Sequence, residues 1–135
     1  MLTNHDLVQL TKFRRELHQY PELSGKEIKT AQKILYALKD MKPSKIIDKM
    51  GGHGLAAIFD SQEKGPTLLF RAELDALPIQ EKNNIPWASN LPGVSHTCGH
   101  DGHMTMLLAL GRIISRNPIK YGKVVLMFQP SEENG

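Results

Sequence analysis

The chain has 135 residues, enough for one domain with a sizeable core. Apolar residues make up 40% and charged residues 23%, which excludes a disordered or membrane-spanning chain. The net charge of +3 is spread out, with no block of like charges, so neither a nucleic-acid nor a membrane partner is expected.

The first residues, MLTNHDLVQL, lack the basic start and apolar run of a secretory signal. One cysteine excludes an internal disulfide and suits a reducing cytoplasm, the expected location. Thr3 or Asn4 can cap a first helix to about Gln19, with Leu7, Leu10, Phe13 and Leu17 at helical spacing. Pro21 ends it. Ser24 and Glu27 have the S-x-x-E spacing of a capping box and predict the start of a second helix. Its buried stripe is Ile28, Ala31, Ile34, Leu35 and Leu38, and Pro43 closes it.

The periodicity then changes. Lys45 to Asp48 predicts a short strand, and glycines 51, 52 and 54 predict a tight turn around His53. Leu55 to Phe59 and Thr67 to Leu74 predict two more strands, with a turn at 63–66 between them. A long connection, Ala76 to Gly102, carries prolines at 78, 86 and 92, and loops of this length are usually functional. His103 to Ser115 is apolar almost all round and predicts a buried helix, stopped by Asn117-Pro118. Lys123 to Phe128 predicts a buried strand, followed by QPSEENG. The order implies an α/β fold, a mixed β-sheet flanked by helices. Ligands in such sheets gather at the carboxyl ends of strands, where Asp75, Glu132 and Glu133 fall.

The stretch LPGVSHTCGHDGH, residues 91–103, concentrates the metal-binding residue types. Cys98 and His100 lie on the same side of an extended segment, and thiolate with imidazole suits zinc and similar metals. The alternative is a buried cysteine beside a histidine at a helix start. Asp101 can support a ligating histidine or cap the following helix, and both readings stand. His96 shares the face of Cys98 and can bind metal, orient a ligand or contact substrate. His103 fits the first helical turn. Glu132 and Glu133, if extended, point to opposite faces, so one can bind a metal while the other handles a proton. A solvated turn is the plainer explanation. Asp75 can hold a metal-bound histidine in one tautomer or be an exposed loop residue. Arg71 and Glu73 alternate with it and can form an ion pair. His5, His18 and His53 are isolated and read as surface or capping residues.

Four segments occur in order: RRELHQYPELS (14–24), FRAELDALPI (70–79), SHTCGHDGHMTMLL (95–108) and VVLMFQPSEENG (124–135). Together they make the chain resemble the M20 metallopeptidase family, in its aminoacylase-like branch of hippurate hydrolases, N-acyl-amino-acid amidohydrolases and auxin-conjugate hydrolases. The resemblance implies the amino-terminal part of a zinc-exopeptidase-like catalytic domain over residues 1–135. It implies metal ligands at Cys98, His100 and Glu133, a general base at Glu132 and a catalytic-site aspartate at Asp75. It also implies two divalent ions, zinc or manganese, and an N-acyl amino acid as substrate. Glu73, Thr97 and Ser131 depart from the residues common at their positions, without removing a ligand. Family members are much longer, with further histidine ligands and a smaller inserted domain that mediates dimer formation. The resemblance therefore leads us to expect a truncated piece with little activity alone, a homodimer in the longer protein, or a non-catalytic remnant with a structural or interaction role.

Overall fold

The run KVVLMF builds the centre of the sheet. In the computed structural model, which describes all 135 residues, it forms strand β4 (Lys123–Gln129). On one side β4 pairs antiparallel with β2 (Gly54–Asp60), which pairs antiparallel with β1 (Lys45–Met50). On the other side it pairs parallel with β3 (Thr67–Glu73). The order β1-β2-β4-β3 is thus a mixed sheet, as expected. Because β3 and β4 are parallel and in register from Thr67–Lys123 to Glu73–Gln129, their carboxyl ends leave the sheet side by side. That register carries Asp75 and the two glutamates to one place.

Three helices cover the apolar face: α1 (Asn4–Gln19), α2 (Ile28–Asp40) and α3 (His100–Arg116). Leu55, Ala57 and Phe59 of β2 join Val124, Leu126 and Phe128 of β4 in one core. Leu10 and Leu17 of α1, Ile34 and Leu38 of α2, and Met104 and Leu108 of α3 close over it. No helix is long and apolar enough to cross a membrane.

Several local expectations change. Leu7 and Ile28 fit the helical spacing but lie exposed on the outer edges of their stripes. The strand at 45 runs on to Met50, and the helix predicted from His103 begins at His100. Ser24 and Glu27 form no capping box: α2 has no side-chain cap from Glu27. The carboxylate of Glu22 instead accepts the backbone N–H groups of Lys29 and Thr30, at 3.2 and 2.7 Å. A capping box does form one helix earlier, between Thr3 and Asp6.

Asp6 also ties the helices together. Its carboxylate accepts from Arg116 through both oxygens at 2.6 Å and from Arg112 at 3.1 Å. The Arg116 guanidinium, then the Thr3 backbone and hydroxyl, hold the Asp6 carboxyl well below the usual carboxylate range. A carboxyl that titrates lower when folded stabilises the fold above its unfolded pKa of about 4, and this is lost as pH falls below it. The urea midpoints of wild type and Asp6→Asn should therefore differ at neutral pH, and the gap should narrow progressively as pH falls below about 4. A gap that stayed constant through acid would disprove this linkage.

Candidate metal centre

The centre is built where β3 and β4 end and α3 begins. Gly99 supplies the bend. Its φ of +99° is left-handed, and it is the residue from which α3 starts. Cys98 and His100 are therefore brought together by a kink rather than by an extended segment, which corrects the geometry expected from their spacing. The Cys98 sulfur, a His100 ring nitrogen and a Glu133 carboxylate oxygen all lie within 4.8 Å of one another.

His100 is buried, and its ring orientation is fixed. Nδ1 donates to the backbone carbonyl of Asp75 at 2.8 Å, with the Asp75 carboxylate farther off at 3.5 Å. The carbonyl, not the carboxylate, therefore selects the tautomer. Nε2 is left with a free lone pair, 3.6 Å from Glu133, 3.8 Å from Glu132 and 3.9 Å from Glu73.

Asp75 is fully buried rather than an exposed loop residue. Its Oδ2 accepts the Ser24 hydroxyl at 2.7 Å and the Glu133 backbone N–H at 2.9 Å. Burial alone would raise its carboxyl, but the Glu133 N–H and the Ser24 hydroxyl pull it below its ordinary value. Asp75 is thus ionised and anchors the glutamate turn.

The two glutamates are not extended. They sit in a 3-10 turn, Glu132–Asn134, after Ser131 in the left-handed region at φ +54°. Adjacent side chains in such a turn diverge by about 120° instead of 180°. Both carboxylates therefore approach His100, but only Glu133 joins the set with Cys98. Glu133 Oε1 is buried with no hydrogen-bond partner. Partial desolvation, the adjoining Glu133 carboxylate and the charges of Glu132 and Glu73 all raise the Cys98 thiol.

A second set, Glu73, His100 and His103, also has its ligand atoms within 4.8 Å. Its Glu73 is already engaged, by Arg71 at 3.1 Å as the sequence suggested and by His103 at 3.0 Å. The Cys98–His100–Glu133 set fits a divalent ion better. It offers sulfur, nitrogen and oxygen donors and a buried carboxylate oxygen that nothing else satisfies.

Asp101 takes partners other than the helix end. It lies inside the first turn of α3, fully buried, and does not cap the helix. Its Oδ2 meets Arg14 Nε at 2.7 Å and His18 Nδ1 at 2.8 Å. His18 is consequently not an isolated surface residue. It is buried, and its Nε2 meets Glu81 at 3.0 Å. Burial would raise the Glu81 carboxyl, but the Ser89 N–H, His18 and Asn83 bring it down to about 2. This chain of contacts fastens the 76–99 connection to α1 and α3. His96 is buried beside it, 6.5 Å from the His18 ring, with both nitrogens unpartnered. Burial is the main reason its pKa falls to about 4. His96 belongs to neither metal set, and His5 pairs only with Gln9 on the surface of α1.

The sequence reading missed Glu73 as a candidate ligand and the contacts of His18 and Ser24 around the site. The segment RRELHQYPELS was the available signal for His18 and Ser24, although Ser24 within it also fits the spacing of a helix cap.

Residues 69–135 match the model for the peptidase family M20/M25/M40. The N-acetyl-L-cysteine deacetylase of Bacillus subtilis is 42% identical over 128 residues, covering 94% of this chain and 30% of that protein. The N-acyl-L-amino acid amidohydrolase of Geobacillus stearothermophilus is 42% identical over 123 residues, covering 90% and 33%. Among solved structures, the YXEP protein of Bacillus subtilis, described as a dinuclear metal-binding peptidase from the M20 family, superposes with a TM-score of 0.90. It is 36% identical, and the match covers 98% of this chain and 37% of that one. The chain thus spans about a third of the length of these relatives.

Proposed function

We propose, for a chain that belongs to the peptidase family M20/M25/M40, that the whole protein hydrolyses the amide bond of N-acyl amino acids. Metal-dependent amide hydrolysis is the chemistry of the family, and the names of the deacetylase and amidohydrolase relatives support the acyl-amino-acid class. In this reading residues 1–135 are the amino-terminal portion of the catalytic domain, and the activity belongs to the whole protein.

The observation that carries the proposal is the meeting of Cys98, His100 and Glu133 around a buried carboxylate oxygen without a partner, with Glu132 alongside. These three residues would hold a divalent ion, zinc or manganese, and the dinuclear relative supports a second ion nearby. Such an ion, when bound, lowers the pKa of water and polarises the scissile carbonyl. The protein's own residues do the rest. Glu132 takes a proton from the attacking water and returns it to the leaving amine. Asp75 holds the turn that carries Glu132 and Glu133, and its carbonyl keeps the His100 Nε2 lone pair available.

The test is an assay of the whole protein, stripped of metal and reloaded with zinc or manganese, against a panel of N-acyl amino acids. Metal-dependent release of free amino acid is expected. Failure to cleave any member of the panel in either metal would refute the proposal.

A further inference from the structure

The turn that carries Glu132 and Glu133 is held from beneath by a residue the proposed reaction does not use. Glu27 stands just before α2 and is completely buried. Its Oε1 accepts the Ser131 backbone N–H at 2.8 Å and the Ser131 hydroxyl at 3.3 Å, across 104 positions of sequence. Its Oε2 has no partner. A buried carboxylate aimed at a single residue is costly to the fold. Ser131 is itself in the left-handed region, at φ +54°, which side chains other than glycine avoid.

The two features explain each other. Ser131 must turn left-handed for the chain to double back after β4, and Glu27 captures the N–H and hydroxyl that this turn presents. Two residues later the Glu133 N–H is captured by Asp75, itself held by Ser24. Glu132 is therefore bracketed by two backbone N–H groups, each fixed by a buried carboxylate. Its own carboxylate lies 3.8 Å from His100 Nε2, beyond hydrogen-bond reach. The direction of Glu132 is set by its backbone anchors.

We propose that Glu27 is a positioning residue for Glu132: by reaching Ser131 it fixes the left-handed turn that aims the general base. The proposal rests on the reading of Glu132 as that base. Reach matters here more than charge, and two substitutions separate them. Glu27→Gln keeps the length and an acceptor oxygen but loses the charge. Glu27→Asp keeps the charge but withdraws it by one methylene.

In the whole, metal-loaded protein, Glu27→Asp should lower kcat about 10- to 100-fold, with KM within about threefold and metal content unchanged. Glu27→Gln should stay within about fivefold of wild type. Hydrogen exchange at the Ser131 amide in the same proteins should quicken in Glu27→Asp and stay near wild type in Glu27→Gln. Wild-type kcat in Glu27→Asp, or a Gln variant no better than Asp, would overturn the proposal. So would unchanged Ser131 exchange in Glu27→Asp. If wild type cleaves no N-acyl amino acid, the proposed function fails, and the exchange pair still decides whether Glu27 holds the turn.

Discussion

Replacing Glu132 with glutamine should leave metal bound and slow hydrolysis by about 10²- to 10⁴-fold, the range a lost general base costs. The expectation follows from how the two glutamates divide. Glu133 shares the set with Cys98 and His100 and has a buried oxygen that needs a partner. Glu132 is outside that set and more exposed than Glu133. An amide has the shape of the carboxylate but cannot take a proton. The loss should therefore fall on kcat, with KM little changed. Metal content by atomic absorption, measured beside kcat, checks both halves. A Glu132→Gln enzyme with near-normal turnover would show that the proton goes elsewhere, and a metal-free one would make Glu132 a ligand.

Which parts of this site could be read from sequence follows from the range of the interactions. The strands and helices were legible because apolar spacing is local, and the site's place at the ends of β3 and β4 followed from their order. Cys98, His100 and Glu133 were legible as residue types, and their meeting is as expected. Their geometry was not. The Gly99 kink and the 3-10 turn at Glu132 replace two segments expected to be extended, because a left-handed residue reverses the chain without leaving a hydrophobic pattern. Ser24 and Glu27 misled for a related reason. Their spacing fits a helix cap, but the partners that claim them, Asp75 and Ser131, lie 51 and 104 residues away. His18 looked solitary because its carboxylates, Glu81 and Asp101, are 63 and 83 residues distant. Local propensity cannot report on an acceptor that only folding delivers.

The metal ligands themselves give the other large expected effect. Cys98→Ala should weaken binding of a divalent ion by more than the roughly 10- to 100-fold typical of losing a supporting partner. His100→Ala should weaken it further. Cys98 contributes one donor from the open side of the site, whereas His100 belongs to both possible sets and stands among Glu73, Glu132 and Glu133. Removing the imidazole leaves three carboxylates facing one another and the Asp75 carbonyl without its donor. Cobalt titration separates the sets, because a cobalt–thiolate bond has a charge-transfer absorption that nitrogen and oxygen ligands lack. Wild type should show that absorption, and Cys98→Ala should lose it together with affinity. If Cys98→Ala instead binds cobalt as tightly as wild type, the ion belongs with Glu73, His100 and His103. His103→Ala would then be the variant that releases it. The buried, unpartnered oxygen of Glu133 argues for the first outcome, since Glu73 already has Arg71 and His103 to satisfy it.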